Sequence, residues 1–186
     1  MINSFISVRP VTEEDIGFYA SLFRNPEWMA GSGFRLEDFR TDEQLLRFMK
    51  CHHPLDLKLV IRNNSIGKDI SFCHFKHVGE NDLELSGGVI PELLGRGFGL
   101  YLLVLCLDYA FRIRKPDLIH SHVMESNSRS YRMHEKTGFR IVRSFRYDVR
   151  LFNDYAVSAE QFYSVPFNRY CLERNGILCE DIQPLV

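Results

Sequence analysis

The sequence lacks several features that would assign it to a class at once. Its five cysteines, Cys51, Cys73, Cys106, Cys171 and Cys179, are odd in number and scattered, with no Cys-x-x-Cys pair. This excludes a disulfide framework and fits free thiols in a reducing cytoplasm. Neither sign of charge dominates: 23 Lys and Arg stand against 24 Asp and Glu. A dedicated nucleic-acid binder carries a strong basic excess, so no nucleic-acid partner is expected. The most apolar stretch, Leu100 to Leu107, is far shorter than the ~20 residues that span a bilayer. The opening residues carry neither the basic nor the apolar region of a signal peptide. A cytoplasmic chain without membrane contact is the expectation. The seven histidines also fail to make a metal site. His52 and His53 are adjacent, and no carboxylate or Cys sits at ligand spacing beside His120 and His122. No metal is expected.

What is present is ordinary globular material. The chain has 186 residues, 45% hydrophobic and 25% charged, which suits one domain burying roughly 70% of its unfolded surface. Hydrophobic spacing predicts a strand over Ser7 to Val11, then a helix capped at Thr12 with Ile16, Tyr19, Ala20 and Phe23 on one face and Asn25-Pro26 as its stop. A capping box at Thr41–Gln44 opens a second helix. Three strands follow: Leu57 to Arg62, Asp69 to His77 and Leu83 to Ile90. Gly87-Gly88 in the last marks a bulge or a close backbone approach. A buried helix is expected over Gly99 to Arg114, ended by Pro116, then a strand over Leu118 to Met124. A helix over Asn127 to Thr137 closes on Gly138. One strand is predicted over Phe139 to Val149, with Tyr155 to Val157 pairing against it. A capping box at Ser158–Gln161 and a helical tail from Pro166 complete the chain. The order reads as a mixed α/β (α+β) fold with one sheet flanked by helices.

Two segments carry chemistry. The first is Gly95-Arg96-Gly97-Phe98-Gly99-Leu100, between a strand and the start of the buried helix. Alternating glycines let successive N–H groups converge on one point, and the helix's positive end adds to them. A pyrophosphate suits such a cradle, with Arg96 as an added charge. A tight turn alone would also use these glycines. No Gly-Lys-Ser/Thr follows, so this is no Walker loop, and the G-x-G-x-G spacing is not that of a dinucleotide fingerprint. The second segment runs from Glu125 to Phe139, one strand downstream.

Together the two segments resemble the GNAT superfamily of acetyl-CoA-dependent N-acetyltransferases. The loop Leu94-Gly95-Arg96-Gly97-Phe98-Gly99 is similar to that family's Q/R-x-x-G-x-G/A motif, with Leu94 where Gln or Arg is usual. Asn127, Ser130, Glu135, Lys136, Gly138 and Phe139 match its N-x-x-S and E-K-x-G-F signature. The strand Glu84 to Pro91 and the opening Ile6 to Asp15 resemble the Rim-type branch, which acetylates the N-termini of ribosomal proteins.

The resemblance implies a single GNAT domain over 1–165 with a C-terminal extension over 166–186 packed on it. It implies a mostly antiparallel central sheet whose strands splay at the coenzyme site. Acetyl-CoA would be the co-substrate and a primary amine the acceptor, preferably a protein N-terminus, otherwise a small-molecule amine or amino sugar. A non-catalytic acyl-CoA-binding module is the reading from another class. The protein would be a monomer or homodimer.

The implied coenzyme contacts are Val89, through its backbone N–H, Gly95 to Leu100, Asn127 and Ser130. Asn127 could equally be a helix cap. Glu84 is the implied base, or else a solvated carboxylate at a hairpin end. His134 stands where many members carry a Tyr that reprotonates the thiolate; packing against the coenzyme is the other reading, and Tyr131 is a reserve donor. His120 and His122 are expected to face a helix or solvent. Trp28, Phe34 and Phe39 with Arg35, Glu37 and Asp38 are expected around the acceptor pocket, or else as a packed lid. Arg140, Arg143, Arg146 and Arg150 are expected to be solvated.

Overall fold

A computed structural model describes residues 6–175. The expected residues 176–186 of the C-terminal extension, and Cys179, lie outside the described residues. One seven-stranded sheet organises the chain, with strands β1 (Ile6–Pro10), β2 (Leu57–Asn63), β3 (Lys68–Val78), β4 (Asp82–Val89), β5 (Ile119–Met124), β6 (Arg140–Tyr147) and β7 (Arg150–Val157). Their order is β1-β2-β3-β4-β5-β7-β6, and only β4 and β5 run parallel.

Helices cover most of both faces. Tyr19 of α1 (Ile16–Phe23) packs on Phe72 and His74 of β3. Beside it lie α2 (Pro26–Ala30) and α3 (Asp42–Met49). The opposite face carries α4 (Phe98–Ile113) and α5 (Ser128–Lys136). With helices on both sides, β3 is buried from Ile70 to Phe75 on both faces, although its sequence alternates only weakly. The helix α4 is buried continuously from Leu102 to Phe111, because the sheet lies on one side and α7 (Pro166–Asn175) on the other. Each aliphatic side chain so enclosed contributes ~1.5–3 kcal/mol.

Local signals place most boundaries. Thr41 and Gln44 cap α3 reciprocally, and Ser158 and Gln161 do the same for α6 (Ala159–Ser164). Gly138 takes φ +101° after α5. Its N–H donates to Glu135 O and that of Phe139 to His134 O, a Schellman closure only a glycine makes without strain.

Two expectations need correction. The strand expected over Phe139 to Val149 stops at Tyr147, and its expected partner over Tyr155 to Val157 is the end of a longer strand. Asp148 adopts φ +58° and turns the chain, so β7 begins at Arg150 and pairs with β6 from Arg150 to Ala156 and with β5 from Phe152 to Val157. Asn25 does not only stop α1. Its side chain accepts from Glu27 N and Trp28 N, capping the short helix α2. Among the described residues no helix is long and apolar enough to cross a membrane.

Candidate active site

The sheet divides at one place. β4 and β5 pair only at Leu83↔Ile119 and Glu84↔His120. Beyond these pairs each strand keeps its outer partner: β4 stays on β3 to Val89, and β5 stays on β7 to Met124. The result is a fork with unpaired backbone along its inner edges. Leu83 N donates across to Leu118 O, while Ile90 N donates the other way to Ile70 O. Strand alternation therefore aims the Gly87 and Val89 amides into the fork.

The Val89 carbonyl is satisfied by the Trp28 indole N–H at 2.8 Å. A Cβ on Gly88 would stand 2.5 Å from Cζ2 of that indole, and one on Gly87 3.0 Å from Phe72 O. The Gly-Gly pair is thus a close approach, without a register shift against β3. On the other arm, Asn127 Oδ1 accepts from Ser130 N, capping α5, and its Nδ2 donates to Gly31 O at 2.7 Å. Residues 28 to 31 therefore bridge the mouth of the fork.

The glycine loop stands at the end of β4. Gly95 and Gly97 both hold positive φ, +73° and +83°, and Gly97 is the N-cap of α4. Nothing lies within 4 Å of a Cβ at either, so their conformation rather than crowding demands glycine. Tyr101 N donates to Gly97 O at 3.3 Å, which leaves the amides of Phe98, Gly99 and Leu100 ahead of the helical ladder. Gly99 lies 3.5 Å from the sulfur of Met133 on α5, measured from its would-be Cβ, so the start of α4 lies against the middle of α5. Arg96 and Leu94 are exposed beside the amides. An extended anionic group with a narrow tail fits this arrangement: amides and the positive helix end for its phosphates, the fork for the tail.

Glu84 sits at the crotch of the fork, with Oε1 3.3 Å from His122 Nδ1. That contact holds the Glu84 carboxyl below the usual carboxylate range and raises the imidazole above its ordinary value. His122 Nε2 lies 3.7 Å from Asp154 Oδ1, and His120 Nδ1 lies 3.1 Å from the same oxygen. Both histidines lie on β5 as strand residues on one face, with His122 exposed to solvent, and in addition they meet carboxylates of the strands on either side. Arg143 is solvated, with 68% of its side chain exposed, and its Nε also donates to Asp154 Oδ2 at 3.1 Å, while Arg150 donates to Gly33 O.

His134 is 4% exposed. Its Nδ1 lies 2.7 Å from the Ser130 carbonyl oxygen, so that nitrogen carries the proton. Nε2 is buried without a hydrogen-bond partner among the described residues. The ring packs on Phe139 and Tyr155, and burial pushes its pKa down to about 4. Tyr131, one turn earlier, is only partly buried.

A groove of about 650 Å³ opens between the segment after α1 and the β6–β7 turn, with Met124 in its lining. Phe34, Arg35, Glu37 and Asp38 line it. Trp28 and Phe39 do not; both pack on Phe23 in the core, Phe39 at 4.4 Å between ring centroids. Sequence spacing did not reveal Asp154 or the indole donor. The alternation of His120 and His122 was the only visible trace of the polar line. Among the described residues no group of three or more His, Cys, Asp or Glu could hold a metal ion.

Comparison with known proteins bears on this geometry. Residues 6–140 match the family model of the acetyltransferase (GNAT) domain. No curated protein matches. Solved structures do. A spermidine N-acetyltransferase from Vibrio cholerae, in complex with CoA and spermine, superimposes with a TM-score of 0.74 at 19% identity over 87% of this chain and 99% of its own. The ribosomal-protein-S5-alanine acetyltransferase from Vibrio fischeri gives 0.71 at 15% identity, over 87% and 97%. An uncharacterised protein from Bacillus halodurans gives 0.74 at 17%, over 91% of each chain. Similarity at this level speaks to the fold.

Proposed function

The chain belongs to the GNAT acetyltransferase family, and on that premise we propose that it moves an acetyl group from acetyl-CoA to a primary amine, with a protein N-terminus as the favoured acceptor. The observation that carries this reading is the fork between β4 and β5, closed at one end by Glu84 and faced at the other by the glycine loop of α4.

Acetyl-CoA, the family's co-substrate, supplies an activated acetyl thioester. In the proposal Gly95, Gly97, Phe98, Gly99 and Leu100 hold its pyrophosphate through backbone amides, with Arg96 adding charge. The Val89 N–H points into the fork and polarises the thioester carbonyl. Asn127 already spends its amide on Ser130 and Gly31, so it fixes the second arm, and Ser130 in the first turn of α5 faces the coenzyme from there. Glu84 accepts the proton of the incoming amine. An α-amine near pKa 8 needs only ~1.4 kcal/mol to lose its proton at pH 7, against ~4–5 kcal/mol for a lysine-like amine. That difference favours an N-terminus for a site whose carboxylate is held low. The acid role finds weaker support at His134, whose proton is committed to Ser130, than at Tyr131.

A small-amine acceptor is the second reading, favoured by the likeness to a spermidine N-acetyltransferase. A thiol-release screen with acetyl-CoA separates the two. Its arms are peptides with free N-termini, spermidine and an amino sugar. Release with peptides alone supports the first reading and release with spermidine alone the second. No release with any amine overturns the proposed transfer.

A further inference from the structure

Acetylating an ammonium group releases one proton net. The ammonium must shed a proton before its nitrogen can attack. The nitrogen's electron pair then forms the N–C bond, the C–S bond breaks, and the second N–H proton goes to the departing thiolate. The first proton needs a resting place other than the thiolate. Glu84 alone is a poor store for it, because a carboxylate beside an imidazole gives the proton up readily.

The sheet face around Glu84 supplies the store. Glu84 pairs in register with His120, and His122 with Asp154, so all four side chains leave the sheet on one side. His122 Nδ1 stands 3.3 Å from Glu84 Oε1, and its Nε2 3.7 Å from Asp154 Oδ1. The ring edge packs on Phe145 of β6, with centroids 5.0 Å apart at 75°. Carboxylates on both sides and an aromatic ring across it fix the plane of the imidazole. Asp154 is nearly buried and is itself held by Arg143 Nε and by His120 Nδ1. His120 Nε2 also lies 3.6 Å from Asp82 Oδ2. The His122 side chain is 33% exposed, so it reaches water directly.

Resting on the reading of Glu84 as the group that meets the amine, we infer that His122 is its positioning partner and holds the proton that Glu84 removes, releasing it to solvent from the exposed edge of the ring. The groups around the ring sustain this. Glu84 from β4 and Asp154 from β7 favour the imidazolium. Arg143 from β6 opposes it, and Lys76 from β3 acts on Glu84. Of the pair, the imidazole is the more basic, so a shared proton rests on the ring.

The test combines histidine side-chain NMR with kinetics. Wild type, Glu84→Gln and His122→Gln proteins are compared, using acetyl-CoA with an alanine-initiated peptide or spermidine, whichever releases thiol. His122 should titrate above the ordinary ~6.5 in wild type and fall toward it in Glu84→Gln. The acid limb of kcat/KM should follow the same wild-type value. His122→Gln should lower kcat at least tenfold, erase that limb and leave KM for acetyl-CoA unchanged. An unshifted His122 titration in both proteins overturns the inference, and this readout needs neither turnover nor a folded His122 variant. So does a His122→Gln protein with wild-type rate and pH profile; an impaired Glu84→Gln beside it leaves the transfer reading intact. A fully active Glu84→Gln protein overturns the base assignment and the inference together.

Discussion

Trp28 and Gly88 exclude one another's side chains. The indole occupies the space a Cβ on Gly88 would need, 2.5 Å from Cζ2, while its N–H holds the carbonyl of the next residue, Val89. The inner edge of the fork thus has an aromatic stop, and the backbone beneath it must be glycine.

Gly88→Ala should therefore cost ~1–3 kcal/mol of stability through overpacking. Trp28→Phe combined with Gly88→Ala should recover part of that loss, because the smaller ring vacates the contact. Urea denaturation of the two single variants and the double variant reads the coupling. Purely additive losses would show that the two positions do not compete.

Gly97→Ala tests the loop. The position holds φ +83° with open space around it, so the penalty is conformational, ~1–2 kcal/mol, and relaxes by moving the loop. The fold should survive while affinity for CoA, measured by calorimetry, falls at least tenfold. Unchanged affinity would defeat the assignment of the loop to the pyrophosphate.

Arg96→Gln should leave the denaturation midpoint where it was, since the side chain is exposed. Its contribution to CoA binding should be about two- to fivefold at low salt and should shrink as ionic strength rises. A salt-independent loss would point to a packing role instead.

His134 makes stability depend on pH. Burial lowers its pKa to about 4 in the folded chain, against ~6.5 when unfolded. The unfolded state therefore takes up the proton first. Stability is complete above about pH 6.5 and is lost as pH falls toward about 4, up to ~3 kcal/mol from this group. His74, also buried with a lowered pKa, acts in the same direction. His134→Leu should thus lose less stability than wild type between pH 7 and pH 4.5. Equal slopes would mean the ring is not buried neutral.

Much of this architecture was legible because its signals are local. A capping box spans four residues, and a Schellman glycine needs only the helix before it, so α3, α5 and α6 could be placed from the sequence. Gly87-Gly88 announced a close approach, though not that Trp28 makes it. The hairpin after β6 was expected, but its turn was placed too far along the chain, because an aspartate in the left-handed region leaves no mark comparable to glycine. The polar line beside Glu84 was missed for a different reason. Glu84, His122 and Asp154 meet through strand register, and register across a crossover helix is set by packing of the whole sheet. Trp28 and Phe39 were expected at the acceptor because aromatics in a variable segment suit binding equally well as core, and here Phe23 claims both.

The fork has one more consequence. Beyond Glu84 each of its arms is laced to a strand on the outside and to no strand on the inside, so within one strand successive amides live in different worlds. Those of Gly87 and Val89 open toward the gap, whereas that of Gly88 is stitched to β3. In deuterated water β4 should therefore label in an odd–even rhythm, and the odd beats should fall silent when the gap fills.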